Sequence, residues 1–436
     1  MSMRHRSGLL VLMISTLLFF SVLFWEMSDY STGSGRITED RLVSYIPKDY
    51  HLTNESSPTH GSLQSKANSS NQVSRLEDKE VYALPTSKKP NLEVKLLLAY
   101  TKFYGCVLPT YLSEYDKSVV VAASFSDCEY KCKWTTNKND YSKSDAVVFH
   151  LYNNLDNKDF VLSELPTRRN VNQKWVLIIR EPPAFYYPVQ LKLLNDMFNL
   201  TMTFQSTADI FIPYGGYWNL TEDRKRRPPI NYLKGKNKTV VWLVSNCITS
   251  SRRERYVTDL QKYIDIDVFG ACGKPITGKY SPLMAEFANK YKFYIAFENS
   301  DCEDYITEKF WRSLYHGMIP IVRGHRVDYK KFAPPHSYIH ADSFITPKAL
   351  AEYLKAVSKS PELFQKHHEW RRLYDADFKH FTFNKNWMCD LCTQVHTSSR
   401  KTVDVFQEFS ETTKCFTYHE PYGRNRTGER LENIMI

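Results

Sequence analysis

The segment from residue 291 to residue 324 carries side chains whose types and spacing could bind a phosphate and a sugar. It reads YKFYIAFENSDCEDYITEKFWRSLYHGMIPIVRG, which predicts a strand, a polar loop, a helix that begins near Thr307, and a second strand. Such strand-to-helix junctions are where α/β proteins bind nucleotide phosphates. Lys309 lies in the first helical turn, where the helix dipole disfavours a cation, so a bound anion would relieve the conflict. Glu308 could accept hydrogen bonds from sugar hydroxyls.

A second junction of this kind, VWLVSNCITSSRR at residues 241–253, places two arginines at the start of a predicted helix. Ser250 or Ser251 is the expected N-cap. Arg252 and Arg253 both oppose the helix dipole, so an anion is again a natural partner. Two solvated arginines on a surface helix are the plainer alternative. The spacing does not distinguish Arg252 from Arg253 as the anion ligand.

Two further side chains follow strand-like sequences. Glu181 comes directly after KWVLIIR and is followed by two prolines. It should therefore lie at the carboxyl end of a strand, where α/β proteins build their sites. A solvated surface carboxylate is the alternative to a general base. His150 ends the run DAVVFH, and this pattern fits a hydrogen-bonded structural histidine as well as a residue that lines a cleft.

Alternating strands and helices must position these residues. Helical patterns at residues 251–264 and 308–316 lie between apolar runs, which indicates an α/β protein. The polar residues 221–238 are the best candidate for a linker between two halves. Near-continuous Val, Ile, Leu and Phe predict strands buried on both faces of parallel sheets, at residues 94–100, 119–124, 146–152, 175–179, 240–244, 264–269, 293–297 and 319–322.

The two junctions resemble the signature motifs of the α1,3/4-fucosyltransferase family, glycosyltransferase family 10, in particular its invertebrate α1,3 members. The resemblance rests on FENS, YITEK and IPIV in the first junction, and on Ser-Asn at the strand end of the second. It implies a GT-B-like fold, with two doubly wound, Rossmann-like domains facing a cleft. The corresponding division is an acceptor-side domain at residues 92–225, a GDP-fucose-binding domain at 226–392 and a C-terminal extension at 393–436.

The resemblance also implies roles for individual residues. Glu181 would be the base that deprotonates the acceptor hydroxyl, because WVLIIREPP resembles the family's W-x-x-x-x-x-E-S-P segment, with Pro182 in place of the serine. His150 would line the acceptor cleft. The donor GDP-fucose would be bound by residues of both junctions: Ser245, Asn246, Arg252 or Arg253, Glu298, Asn299, Tyr305, Thr307, Glu308 and Lys309.

The expected activity is inverting α1,3-fucosyl transfer from GDP-fucose to a hydroxyl of GlcNAc or a similar sugar. Its acceptor stays open among the N-glycan core, lactosamine-type antennae and LacdiNAc. A non-catalytic lumenal glycan-binding protein and a protein O-fucosyltransferase are the alternatives. No cofactor is obligatory, because the cations could neutralise the diphosphate, although a divalent cation could stimulate transfer by screening it. Asp265-Ile266-Asp267 is not read as a metal site, because it lies inside the strand-like IDIDVFG.

The N-terminal residues predict a type II membrane protein of the Golgi. Residues 8–25 are an uncharged apolar run just long enough to span a bilayer, and Arg4 and Arg6 precede them. The pattern predicts a cytosolic tail at residues 1–7, a signal anchor at 8–25 and a disordered polar stem at 26–91. A cleaved signal peptide is the alternative. The net charge of +10 indicates a diffuse basic surface, and some of these basic residues would bind the anionic donor. It is not taken as evidence of a nucleic-acid site.

A lumenal chain would be glycosylated and disulfide-bonded. The nine cysteines favour disulfides in an oxidising compartment. For Cys389 and Cys392, structural disulfides are favoured over a zinc site with His396 and over a redox pair, and the family resemblance implies the same role. Their possible partners are Cys106, Cys128 and Cys132. Acceptor sequons begin at Asn54, Asn68, Asn199, Asn219, Asn237 and Asn425.

Overall fold

The computed structural model describes residues 93–103, 106–107, 125, 128–151, 165–166, 169–186, 188–226, 228, 230–276, 280–378, 385–399 and 401–416. All of them belong to one compact unit, residues 52–436. The predicted tail, anchor and stem lie outside the described residues, as does the predicted strand at 119–124. Within the described ranges, no helix combines the length and the apolar character needed to cross a membrane.

The N-terminal half contains a parallel sheet in the strand order β4-β1-β5-β6-β7-β8. Strands β5 and β6 are almost wholly buried, which explains their nearly continuous apolar sequences. A short antiparallel pair, β2 and β3, follows β1. The strands are β1 (Lys95–Ala99), β2 (Lys102–Phe103), β3 (Cys106–Val107), β4 (Cys132–Thr135), β5 (Ala146–Leu151), β6 (Lys174–Ile179), β7 (Leu200–Thr203) and β8 (Ile210–Phe211).

The second half contains another parallel sheet, in the order β11-β10-β12-β13-β14. An antiparallel pair, β9 with β15, joins the end of the first half to a late strand of the second. The α/β class with parallel sheets is thereby confirmed. The strands are β9 (Gly216–Asn219), β10 (Lys238–Leu243), β11 (Ile266–Phe269), β12 (Tyr291–Ile295), β13 (Ile319–Val322), β14 (Ile339–His340) and β15 (Tyr374–Asp377).

Helices alternate with the strands of the second sheet. Helix α5 begins at Glu308 and stops before Gly317, as predicted. Gly317 has a φ of 78°, and a Cβ there would lie 2.5 Å from the ring of Tyr232. The described helices are α1 (Pro188–Leu193), α2 (Glu222–Lys225), α3 (Arg253–Leu260), α4 (Tyr280–Lys290), α5 (Glu308–Tyr315), α6 (Tyr329–Phe332), α7 (Pro347–Lys359), α8 (Pro361–Lys366) and α9 (Lys385–Thr397), with a π-helix at Phe406–Glu411.

Helix α3 differs from its prediction at both ends. Its N-cap is Arg252, whose φ of 47° lies in the left-handed region, so the prediction of Ser250 or Ser251 is wrong. The two serine hydroxyls instead donate hydrogen bonds to backbone carbonyls beyond β12. The helix ends at Leu260 and not at residue 264. The cause is a long-range contact that competes with local capping.

The C-terminal part of the chain returns to the first sheet. Apolar side chains of α9 pack in the same core as β1 and β8. The disulfides Cys128–Cys389 and Cys132–Cys392 attach the helix to that side. The predicted domain boundary after residue 392 is therefore wrong, because α9 belongs with the acceptor-side sheet.

The disulfides confirm a structural role for Cys389 and Cys392. The side chains of Cys132, Cys392 and His396 lie close enough to hold a metal, but both sulfurs are already joined to each other. The alternative of a zinc site at Cys392 with His396 is therefore wrong. Two further disulfides were not predicted, Cys247–Cys272 and Cys302–Cys415. The side chain of Cys106 lies outside the described part of the structure.

Removal of both α9 disulfides should destabilise the protein far more than removal of either one. Each closes a loop of about the same size, with sequence separations of 261 and 260 residues. Closing a loop of that length contributes about 5 kcal/mol in the chain-entropy model, and the second bridge adds little once the first has formed. Thermal unfolding of single-pair and double-pair Cys→Ser variants measures the difference. Equal losses from one pair and from both would contradict this expectation.

Candidate functional site

The segment between β12 and α5 brings the two halves of the molecule together. Cys302 and Tyr305 belong to a buried cluster of the first sheet. The ring centroids of Tyr305 and Phe204 are 4.9 Å apart. Ser206, beyond β7, donates its N–H and its hydroxyl to Asp304 at 2.8 Å and 2.7 Å. Residues of the second half are thereby placed against the carboxyl ends of the first sheet's strands.

Glu181 lies at this meeting point, two residues beyond β6, and is half-buried. The Tyr305 hydroxyl is 3.5 Å from Oε2 of Glu181. Burial and the nearby phenol and carboxylates raise the pKa of Tyr305 well above its ordinary value, so this hydroxyl keeps its proton and donates. The guanidinium of Arg180 donates to the carbonyl of Ile212 at 2.6 Å and lies 3.9 Å from the ring centroid of Tyr214.

His150 lies in β5, paired with Ile178 of the neighbouring β6. Its backbone N–H donates to the hydroxyl of Thr101 at 2.6 Å. Only 7% of the residue is exposed. The structure therefore favours the structural alternative for His150 over direct contact with an acceptor.

Glu298 organises the start of α5. It is 2% exposed and accepts hydrogen bonds from the N–H and the hydroxyl of Thr307 at 2.8 Å and 2.9 Å. Its other oxygen is 3.1 Å from Nζ of Lys309. Thr307 is the helix N-cap and has no exposed surface. Both side chains are buried and hold Lys309 in place, and contact between the donor and Glu298 or Thr307 stays a prediction.

Lys309 is the accessible cation of the site, with 21% of its side chain exposed. Burial alone would lower its pKa, but the carboxylates of Glu298 and Glu308 raise it above the ordinary value. The same two carboxylates offset the unfavourable interaction between the Lys309 charge and the helix dipole. A bound anion is therefore not needed to stabilise Lys309 at this position. Burial would raise the pKa of Glu308, but Lys309 and Arg312 lower it to about 2. Glu308 is therefore ionised and can accept hydrogen bonds.

Of the two arginines before α3, Arg253 joins this cluster. It is 3% exposed, and its guanidinium donates to the carbonyls of Phe297 and Asn246 at 2.7 Å and 3.3 Å. Its charge acts on both Glu298 and Lys309. Arg252 is half-exposed and forms the left-handed turn that leads into the helix. Arg253 therefore contributes its charge to the Lys309 cluster, and which of the two arginines contacts the diphosphate stays a prediction.

The remaining predicted donor residues lie at the ends of β10 and β12. Ser245 and Asn246 are exposed directly beyond β10. Asn299 follows Glu298, and its side-chain oxygen is buried without a hydrogen-bond partner among the described residues. Because adjacent parallel strands end at the same edge, these groups and Lys309 lie at one edge of the second sheet. Among them, Lys309 supplies an accessible cation and Glu308 an ionised carboxylate.

The disulfide Cys247–Cys272 joins the loops that follow β10 and β11. A cavity of about 570 Å³ lies beside it, lined by residues that include Trp242, Val257 and Val268. The sequence held a signal for this bridge, because each cysteine lies three or four residues beyond one of two adjacent strands.

The carboxylate of Asp267 on the edge strand β11 has a structural role. It contacts Lys238, Lys274 and Tyr291.

The structure separates the sequons into two groups. Asn199 is 2% exposed, accepts the N–H of Trp175 at 2.9 Å and donates to the carbonyl of Lys401 at 2.8 Å. The prediction of glycosylation at Asn199 is therefore wrong, because its amide is part of the core. Asn219 and Asn237 are exposed. The other three sequons, at Asn54, Asn68 and Asn425, lie outside the described residues.

We expect glycans at Asn219 and Asn237 and none at Asn199 when the protein is secreted from eukaryotic cells. Peptide mapping before and after enzymatic deglycosylation measures the occupancy of each site. Asn219→Gln and Asn237→Gln should be tolerated. Asn199→Gln should cost about 1–3 kcal/mol, because it disturbs two buried hydrogen bonds. A glycan found on Asn199 of the folded protein would contradict this assignment.

The fold and the site define an α/β protein with two parallel sheets and a cation–carboxylate cluster where their strand ends meet. Two family profiles match the chain: "Fucosyltransferase, N-terminal" at residues 93–215 and "Glycosyltransferase family 10 (fucosyltransferase) C-term" at residues 233–411. Together they cover both halves of the described structure. The chain belongs to glycosyltransferase family 10, the fucosyltransferases.

Curated relatives are similar over much of the chain. A Pan troglodytes protein named 3-galactosyl-N-acetylglucosaminide 4-alpha-L-fucosyltransferase FUT3 is 35% identical over 310 residues, which is 70% of this chain and 76% of the relative. Alpha-(1,3)-fucosyltransferase C of Drosophila melanogaster is 34% identical over 58% of this chain, and the match spans 61% of that protein's length. A crystal structure of an alpha1,3-fucosyltransferase with GDP aligns at 15% identity and a TM-score of 0.44, covering 73% of this chain and 94% of that one.

Proposed function

We propose that this protein is an inverting α1,3-fucosyltransferase that transfers L-fucose from GDP-fucose to a hydroxyl of GlcNAc or a similar sugar on glycoprotein or glycolipid glycans. One observation carries the proposal. The carboxylate of Glu181 in the first half lies 3.5 Å from Tyr305 of the second half, on the segment that leads into the Lys309 cluster. A candidate base and a candidate diphosphate site thereby meet at one edge of the two sheets.

In the proposed reaction, Glu181 accepts the proton of the acceptor hydroxyl. At the same time, the oxygen of that hydroxyl forms a bond to C1 of fucose. The bond from C1 to the β-phosphate oxygen breaks on the opposite face, and GDP leaves with the bonding electrons. Displacement from opposite faces converts the β-linked donor into an α-linked product. The resulting transition state carries oxocarbenium character, so the ring develops positive charge while the diphosphate gains negative charge.

The donor-side residues meet these demands in the proposed mechanism. Lys309 would contact the diphosphate, with Arg253 adding positive potential from behind the strand ends. Glu308 would accept hydrogen bonds from donor hydroxyls, since its carboxylate is ionised. These cations would neutralise the leaving group without an obligatory cofactor, and a divalent cation would stimulate transfer by screening the diphosphate.

We also propose the cellular setting that the sequence predicts. The protein would be a type II membrane protein of the Golgi, held by residues 8–25 with the enzyme in the lumen. The disulfides and the exposed sequons support a lumenal location, since both modifications belong to the secretory pathway. In this setting the two parallel sheets would form the two domains of a GT-B arrangement, with the acceptor glycan bound mainly by the first.

The activity is tested with a secreted fragment that begins near residue 28. It is incubated with labelled GDP-fucose and a panel of N-glycan-core, lactosamine and LacdiNAc acceptors, with and without EDTA. Transfer to one acceptor class that continues in EDTA, at the same or a reduced rate, is the expected result. Transfer only to a protein hydroxyl would favour the O-fucosyltransferase alternative. GDP binding without transfer to any acceptor would favour a non-catalytic glycan-binding protein.

A further inference from the structure

Arg323, directly beyond β13, is a buried cation for which the mechanism above has no role. The residue is 4% exposed. It forms an ion pair with Asp342, with 3.5 Å between Nε and Oδ1. Burial alone would raise the pKa of Asp342, but Arg323 and neighbouring histidines lower it below its ordinary value. An isolated buried arginine would be costly, so this pair holds Arg323 as a fixed charge.

The guanidinium of Arg323 reaches across the strand ends to the turn before α3. Its NH1 donates to the carbonyl of Ser251 at 2.9 Å. It also lies 5.0 Å from the ring centroid of Tyr256, on the first turn of that helix. The loop beyond β13 is therefore attached to the turn that delivers Arg253.

Ser251 connects this contact to the second donor-side loop. Its hydroxyl donates to the carbonyl of Glu298 at 2.7 Å, and its N–H donates to the carbonyl of Asn299 at 3.1 Å. The next residue, Arg252, has the left-handed conformation that sets the start of α3. The buried turn at Ser251 thus fixes the backbone of the loop before α3 and of the loop beyond β12. Arg323 holds that turn through the carbonyl of Ser251.

We propose that Arg323 is a positioning residue for the donor site, which aligns Arg253 and the Glu298–Asn299 backbone by holding the carbonyl of Ser251. This inference rests on the proposed binding of a guanosine diphosphate donor. Loss of the guanidinium frees the turn, so Arg253 and the Glu298–Asn299 backbone are no longer held in one arrangement beside Lys309. Donor affinity falls, whereas the acceptor side around Glu181 is unaffected.

The test uses Arg323→Met/Asp342→Asn, because the double variant leaves no lone buried charge and keeps an acceptor for the N–H of Gly324. The expected result is a rise of about tenfold or more in the Kd for GDP and in the KM for GDP-fucose, the size typical of coupled contacts. The KM for the acceptor should not change. Arg323→Lys should recover part of the loss, because an ammonium can still donate to the Ser251 carbonyl.

Arg371→Met is the matched control. Arg371 donates to the carbonyl of Leu314 at the opposite end of α5 and packs over the ring of Trp370, 4.2 Å from its centroid. This variant should lose stability without a change in the Kd for GDP. An unchanged Kd in the folded Arg323→Met/Asp342→Asn variant would overturn the inference, as would a loss confined to kcat. Absence of GDP binding by the wild-type protein would instead overturn the proposed function.

Discussion

Glu181→Gln should slow fucosyl transfer severely and leave GDP binding intact. The amide is nearly the same size as the carboxylate and can still accept a hydrogen bond from Tyr305, but it cannot take the acceptor proton. Removal of a general base lowers kcat by about 10²- to 10⁴-fold. Steady-state kinetics measure this loss, and calorimetric titration with GDP measures the affinity that should be retained.

Glu303→Gln is the matched control for that experiment. Glu303 lies on the same joining segment, but its carboxylate is exposed and pairs with Lys414 at 3.8 Å. This change should leave kcat within about twofold of the wild-type value, as expected for a surface ion pair. If Glu181→Gln retained near-normal turnover while binding GDP, Glu181 could not be the base. A similar loss in Glu303→Gln would point to the fold of the segment and not to proton transfer.

Lys309→Met should weaken GDP binding by about 30-fold or more, because it removes the accessible cation from a largely buried diphosphate site. Titration with GDP measures the effect. The side chain also neutralises the buried Glu298, so the substitution has a second consequence for folding. Burial already raises the pKa of Glu298 above its ordinary value, and loss of the Lys309 charge should raise it further.

The sign of the pH dependence follows from that raised pKa. Folded Lys309→Met must keep Glu298 protonated, whereas the unfolded chain releases the proton above its ordinary glutamate pKa. The stability contribution is therefore present at low pH and is lost as the pH rises, so the variant should be less stable at pH 7 than at pH 5. Lys309→Met/Glu298→Gln should lose this pH dependence and still bind GDP weakly. Wild-type GDP affinity in both variants would rule out the diphosphate role of Lys309.

The sequence predicted those parts of the fold that depend on local pattern. Strands β5, β6, β12 and β13 are apolar along most of their length, and such runs identify buried parallel strands without any knowledge of their neighbours. Helix α5 carries its own start and stop signals in Thr307 and Gly317. The strand-to-helix junction that contains Lys309 was predictable for the same reason.

Features set by contacts between distant residues were not predictable. Ser250 and Ser251 fit a helix N-cap locally, but the carbonyls beyond β12 take their hydroxyls, and Arg252 becomes the cap. Asn199 has a complete sequon, and only its contacts with Trp175 and a distant C-terminal carbonyl show that it is buried. The return of α9 to the first sheet depends on pairings across more than half the chain. The sequence offered Cys128 and Cys132 as possible partners for its cysteines but could not assign the pairing.

The anomeric configuration of the product shows whether fucose is transferred in a single displacement. Wild-type protein, GDP-β-L-fucose and the acceptor that it uses would be incubated, and the coupling constant at H1 of the transferred fucose would be read by NMR. A single displacement with Glu181 as the base predicts an α-linked fucose as the only product. A β-linked product would contradict this mechanism, because one displacement at C1 inverts the β-linked donor and cannot retain its configuration.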